Sequence, residues 1–287
     1  MKRIIFIDKD NKSTILDEDV CGRIREKGQE ELKKTFIWVV AGRDFPEKYL
    51  HGECDGLLGD NYYPERVSDK SNAADIRIIR RVVELHTKLP NRVSFTIVSG
   101  DRAFETIMGE CAPRLVIVTS PHTRFNHSIE NIIEDMFPPS LDICDTISYM
   151  RKIINKLSGL QGLAKLYFVN AGDLARIPEI PDLTQDTHML LVFSRATKEK
   201  CDVENLWFYR FIGDKCYIID TLTEHKKDAP LFKLLFCVLY LHFMLENSIQ
   251  FEIISENADD MRDEITDACS GRQVYAKEPK DKNAEFM

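Results

Sequence analysis

Three aspartates stand where side chains of one fold could meet: Asp8 closes the apolar run Ile4 to Ile7, Asp101 follows the run Phe95 to Ser99, and Asp75 falls in the first turn of an amphipathic stretch. Carboxylates brought close together repel strongly at low dielectric, so a cluster of them persists when a cation sits between them. An oxygen-only set suits Mg²⁺ or Mn²⁺, ions that keep several waters and bind through few carboxylates plus a phosphate. Such an ion lowers the pKa of a water for attack on a phosphodiester and shields the leaving oxygen. The chemistry would be hydrolysis.

The elements that must position these acids read as strand (Arg3 to Ile7), acidic turn, helix (about Asp19 to Lys34), strand (Phe36 to Val40), a loop with Gly42 and Pro46, a short element near Leu57, helix (Ala73 to Lys88), strand (Ser94 to Ser99), helix (Ala103 to Met108) and strand (Leu115 to Thr119). Short apolar runs separated by helices argue for a parallel sheet covered on both faces. Right-handed crossovers make that a doubly wound α/β/α layer. Ligands of such sheets gather at the carboxyl ends of the strands, where Asp8 and Asp101 lie.

The pattern is written twice. Asn72 to Asp101 lies without a gap on Asp228 to Asn257, 156 residues later, and most non-identical pairs exchange one apolar residue for another, as Ile78 with Leu234 and Val98 with Ile254. Allowing gaps, Arg3–Asp8 matches Lys165–Asn170, Phe36–Val40 matches Met189–Phe193, and Gly59-Asp60 matches Gly213-Asp214. A repeated buried pattern is a repeated fold. The expected class is therefore α/β, two tandem Rossmann-like three-layer domains with mainly parallel sheets, over 1–150 and 163–280, joined near Ser158 to Gly162. At the three acidic positions the second writing has Asn170, Leu231 and Asn257. Asp259 and Asp260 lie nearby without partners, so the second copy is expected to be silent.

Length and composition agree with two soluble globular domains: 287 residues, 44% hydrophobic and 30% charged. The net charge of −8 repels polyanions, so any nucleic-acid binding must be local. Eight cysteines are scattered without a CxxC or Cys/His cluster, which indicates neither a zinc site nor a disulfide framework and points to reduced thiols in cytosol or nucleus. The N-terminus runs directly into a strand, Ile4 to Ile7, without a charged or long apolar stretch to serve as a signal, so export by that route is not expected, and Leu231 to Leu245 is too short to span a membrane and is broken by Lys233 and His242. The tail from Lys277 is charged and aperiodic and is expected to fray.

At these acids the chain resembles the PIN-like nucleases, in particular their NYN branch. The resemblance rests on Ile7-Asp8-Lys9-Asp10-Asn11, on Lys70-Ser71-Asn72-Ala73-Ala74-Asp75-Ile76, and on Val98-Ser99-Gly100-Asp101-Arg102-Ala103-Phe104, similar to the family's SGD-x-D-F turn. It covers about the first 120 residues. It implies metal-dependent endonucleolytic cleavage of single-stranded RNA, with Asp8, Asp75 and Asp101 as metal-binding acids, Asn11 as a supporting amide and Ser99 as a hydroxyl beside the metal. Two departures stand out. The second acid of the turn is Ala103, and Arg80 and Arg81 occupy the neighbourhood of the family's further helix acid, for which Asp10 or Glu105 could compensate.

Candidate RNA contacts are Arg43, Lys70, Arg102 and Arg80, with Arg77 and Arg81 beside it, and Tyr62 and Tyr63 as stacking surfaces. His86, His122, His127 and His242 read as structural or surface residues. The competing reading is a non-catalytic PIN-like adaptor that binds protein or RNA. A nucleotide-binding Rossmann protein is disfavoured because no glycine-rich loop follows strand one. Leu231 to Leu245 is apolar nearly all round, and a helix without a polar face must be covered. Docking on the other domain, a second copy or a protein partner is the favoured expectation, and coverage by its own domain's tail the alternative.

Overall fold

The computed structural model describes residues 2–9, 33–42, 59–70, 72–119, 149–170, 186–194, 215–221 and 229–278. The chain divides into two units, Met1–Ser148 and Tyr149–Met287.

The first unit holds β1 (Arg3–Asp8), β2 (Thr35–Gly42), β3 (Tyr62–Val67), α1 (Ala73–Lys88), β4 (Ser94–Val98), α2 (Glu105–Met108) and β5 (Val116–Thr119). Its five strands lie in the order β3-β2-β1-β4-β5, and every pairing is parallel. β1 and β4 are central, and their runs Ile4–Asp8 and Ser94–Val98 are buried throughout, as a sheet covered on both faces requires. The strand Tyr62–Val67 was not anticipated. Pro64, Glu65 and Arg66 argue against an interior strand, but β3 is an edge, where a missing N–H and charged side chains are tolerated. The expected helix Asp19 to Lys34 lies outside the described residues except for Lys33 and Lys34, which form a turn, and the element near Leu57 lies outside them altogether.

The second unit holds α3 (Tyr149–Ser158), β6 (Lys165–Asn170), β7 (Thr187–Ser194), β8 (Cys216–Thr221), α4 (Ala229–Met244), β9 (Gln250–Ile254), α5 (Ala258–Ala268) and β10 (Val274–Lys277). Its sheet runs β10-β9-β6-β7-β8, again all parallel, which is the order of the first sheet read from the other edge. Both units are thus five-stranded Rossmann-like α/β layers. α4 and β9 fall on α1 and β4 at the 156-residue spacing, residue for residue at both ends.

One alignment needs correction. In β1, Ile4 pairs with Phe36, and in β6 the matching Leu166 pairs with His188, so the partner of Phe36 is His188 and not Met189. A one-residue slip would exchange the two faces of the strand. The side chains confirm the corrected register: Phe36 meets Tyr63 at 6.3 Å, and His188 meets Tyr217, the counterpart of Tyr63, at 6.0 Å.

A buried arginine clamp recurs in both units and was not read from the sequence. Arg114 donates to the carbonyls of Val93, Leu89, Pro90 and His86 and to Nδ1 of His86, with its guanidinium 4.3 Å from the centre of the Phe95 ring. Arg272 does the same with Ile249, Leu245, His242 and Phe251. Each clamp satisfies carbonyls at the end of the long helix, which have no partner within the helix, and ties them to the next strand. Burial lowers the pKa of both arginines, that of Arg272 to about 10. The legible signal is Cys111-Ala-Pro-Arg114 recurring as Cys269-Ser-Gly-Arg272, just beyond the ungapped match.

The apolar helix also has a local explanation. Residues Ala229 to Leu241 of α4 are all buried, and β6, β7, β8 and α3 pack on it. α3 presents Met150, Ile153, Ile154 and Leu157 as one buried stripe, spaced i, i+3, i+4, i+7, and Met150 Sδ lies 3.4 Å from Cys237 Sγ. Among the described residues, elements of its own unit cover α4. Its cover includes the helix preceding β6, where the alternative expectation had named the tail. No described helix is long and apolar enough to cross a membrane.

Candidate metal centre

β1 and β4 are neighbours in register, Ile7 beside Val98, so the residues that follow these pairs, Asp8 and Ser99, emerge together at the carboxyl edge of the sheet. Both are fully buried. Ser99 Oγ donates to Asp8 Oδ2 at 2.7 Å and accepts the backbone N–H of Asp101 at 2.9 Å. One hydroxyl thus ties the end of β1 to the turn after β4.

Asp101 is half-buried and divides its interactions. Its Oδ1 accepts the backbone N–H of Ala103 at 2.7 Å, which makes it the N-cap of the short turn Arg102–Phe104 leading into α2. Asp75 is the third residue of α1 and is buried, 9% exposed. α1 starts shortly after β3 ends, so this first turn lies at the same edge of the sheet as Asp8. Asn72, in the left-handed conformation at φ 61°, turns the chain into the helix, a backbone shape asparagine adopts more readily than most residues. Among the described residues no group of three or more His, Cys, Asp or Glu is assembled to hold a metal. The structure joins two of the three acids through Ser99 and sets the third at the same sheet edge.

The donor chemistry fits a hard divalent cation, because the Asp8 and Asp101 carboxylates, at the ends of one Ser99-linked frame, offer only oxygen. Asp8 and Asp101 could hold it, with Asp75 at the same sheet edge.

The second unit keeps this frame and loses its charge. Asn170 Nδ2 donates to Ser255 Oγ at 3.5 Å, and the backbone N–H of Asn257 donates to the same hydroxyl at 3.3 Å. Asn257 makes no side-chain cap to α5, unlike Asp101 in its turn.

The other sequence candidates are dispersed. Asp10, Asn11 and Arg43 lie outside the described residues, as do His122 and His127. Glu105 pairs with Arg102 at 2.9 Å on the surface, Lys70 is exposed, and Arg80 is half-buried. Tyr62 is 6% exposed and offers no surface for a base, since strand alternation turns it inward while Tyr63 faces out. Arg77 and Arg81 are held by Glu65, Arg81 through two parallel hydrogen bonds, and Trp38 Nε1 donates to the same carboxylate at 2.9 Å. Burial works against an ionised Glu65, yet the hydrogen bonds and charges of Arg81 and Arg77 outweigh it and keep the carboxyl below the ordinary carboxylate range.

Residues 1–112 match the family model described as a PIN like domain. The matched span ends within the turn that closes the Asp101 segment, so the candidate centre lies inside it, and this part of the first unit is similar to a PIN-like domain. No curated protein matches the chain. Among solved structures, the Candida albicans trehalose-6-phosphate phosphatase N-terminal domain is similar at 10% identity over 96% of this chain and 86% of that one, with a TM-score of 0.23. A likeness that weak carries no argument. The PIN-like match suggests a nuclease-type or nucleic-acid-related role for the first unit.

Proposed function

We propose that the first unit is a metal-dependent endoribonuclease acting on single-stranded RNA in cytosol or nucleus, and that the second is a degenerate PIN-like domain without activity. The carrying observation is the Asp8–Ser99–Asp101 linkage at the carboxyl edge of a sheet whose twin has amides at both acidic ends. Asp8 and Asp101, with Asp75 at the same edge, would hold Mg²⁺ or Mn²⁺, which when bound supplies an activated water and shields the leaving oxygen of a phosphodiester. Ser99 fixes the rotamer of Asp8 and the height of the Asp101 turn. Burial of Asp8 keeps its oxygens from swinging into solvent. The chain's net charge of −8 leaves substrate capture to local cations such as Lys70 and Arg43, or to a protein partner.

A second reading draws on a specific observation. Asp101 spends one oxygen on the cap to Ala103, where the family's turn carries another acid, and a PIN-like adaptor without catalysis would look the same. Titrating Mg²⁺ or Mn²⁺ into a single-stranded RNA cleavage assay, with Asp101→Asn as control, separates the two. Metal-dependent cleavage lost in the variant supports the nuclease. Cleavage equal in both proteins removes the site, and its absence at every metal concentration favours the adaptor.

A further inference from the structure

The starting end of the first sheet carries charges that its twin lacks. Lys2, Lys34 and Arg92 are exposed and stand just before β1, β2 and β4, three adjacent strands. Backbone bonds set them side by side: Arg3 N donates to Lys34 O at 2.9 Å, and Ser94 N donates to Lys2 O at 3.1 Å. With neighbouring strands about 4.8 Å apart, the three cations form a row roughly 10 Å wide. Among the described residues none of the three is paired with an acid. The described residues that lead into β1, β2, β4 and β5 include no acid, and Asp60 precedes the outer strand β3. In the second unit the same bonds run from Lys165 N to Asp186 O and from Gln250 N to Ala164 O, and the turn closed by Val93 N and Pro90 O recurs with Ile249 N and Glu246 O. Ala164, Asp186 and Ser248 therefore stand where Lys2, Lys34 and Arg92 do, and all three are exposed. A fold that closes the same way on either set does not need the cations for its own frame.

We propose that this basic rim is where the first unit captures single-stranded RNA, at the opposite ends of the strands from the Asp8–Ser99–Asp101 edge. The inference rests on the RNA-directed reading above but not on cleavage. A chain of net charge −8 repels a polyanion and needs a local group of cations to hold one. The rim offers charge without apolar anchorage: the exposed large apolar side chains among the described residues are Tyr63, Met244 and Tyr275, none of which leads into β1, β2 or β4. Protein interfaces are anchored by aromatic and other large side chains that become buried, whereas sequence-independent binding of nucleic acid runs on phosphate contacts from lysine and arginine. An acidic protein segment is thus the weaker occupant. A six-residue strand such as β1 spans about 20 Å, so RNA seated on the rim reaches the acidic edge by passing along the unit. Capture and cutting then occupy opposite ends of one unit.

The test uses the full-length chain in EDTA, a fluorescent oligouridine, and the substitutions Lys2→Ala, Lys34→Asp and Arg92→Ser combined, which give the rim the residues of the second unit. Anisotropy across a salt series is expected to show saturable binding, weakened roughly tenfold or more in the variant, with the slope of log affinity against log salt smaller by about 2, the share of three phosphate contacts on a single strand. Circular dichroism establishes that the variant folds, and Lys2→Gln, Lys34→Gln and Arg92→Gln combined serve as a milder set. No binding by the parent, or equal affinity and slope in a folded variant, overturns the proposal. Polyglutamate that binds through the rim while oligouridine does not would assign the surface to an acidic protein and overturn it equally. Rim-dependent binding by a chain that cleaves nothing supports the rim and sinks the nuclease reading alone, whereas cleavage by a chain whose RNA binding ignores the rim sinks this proposal alone.

Discussion

Ser99 donates its hydroxyl hydrogen to Asp8 at 2.7 Å, across two adjacent strands and 91 residues of chain. The same oxygen accepts from the Asp101 backbone, so one buried atom sets the spacing between the two acids. In the second unit Ser255 holds the equivalent place between Asn170 and Asn257. Both units place a serine hydroxyl at this point of the frame, beside a carboxylate in one and an amide in the other.

Ser99→Ala is therefore expected to leave the unit folded while loosening both acids. Removing a group that orients a ligand costs about 10–100-fold in metal affinity. Mn²⁺ titration of the variant against the parent checks this, and an unchanged affinity would remove Ser99 from the site.

The clamps make a prediction about stability. Arg114→Met leaves the carbonyls of Leu89 and Val93 buried without their donor and should destabilise the first unit by about 1–3 kcal/mol, the cost of leaving buried acceptors unsatisfied. Arg272→Met should do the same to the second unit. Hydrogen exchange resolves the two units separately, and each variant should raise exchange mainly in its own.

Glu65 gives a pH dependence with a definite sign. Its folded pKa is lowered, so its contribution is present above the ordinary carboxylate pKa and is lost as pH falls through the folded value. Glu65→Gln should cost about 1–3 kcal/mol at neutral pH, with the gap to the parent closing on acidification below about pH 4.5. Denaturant melts across that range measure it. A gap that widens with acid would contradict the assignment.

Ile153→Glu tests why α4 is apolar. Charging the stripe of α3 should detach it and expose α4, destabilising the second unit by several kcal/mol and promoting association of the chain. Light scattering with calorimetry reads both effects. A monomeric variant with parent stability would mean that α3 is not what shields the helix.

Much of the fold was legible because the repeat carries it. The ungapped match predicted α4 and β9 from α1 and β4, since buried apolar positions at fixed spacing tolerate exchange but not insertion. β3 escaped because its sequence, Tyr62-Tyr63-Pro64-Glu65-Arg66-Val67, obeys edge rules and carries no apolar run. The pairing of β2 with β7 slipped by one residue because both are continuously apolar, and such strands give no alternation to fix the face. The apolar surface of α4 signalled cover but could not name it: the stripe on α3 is short and lies just before the expected junction near Ser158 to Gly162. At the site, the sequence puts Asp8 and Asp101 at carboxyl ends of strands, but that β1 and β4 are neighbours comes from the sheet order, since β2 lies between them in the chain. The Asp101 cap is legible as the structural alternative to a metal ligand, since aspartate favours a helix start and Ser-Gly-Asp is a common turn.

The central claim is that one unit can hold a divalent cation and the other cannot. Mn²⁺ binding to the full chain, followed by electron paramagnetic resonance, tests it most directly. The account predicts a single site, lost in Asp8→Asn and in Asp101→Asn and unchanged in Asn170→Ala. Two equivalent sites, or one that survives both aspartate substitutions, would contradict it.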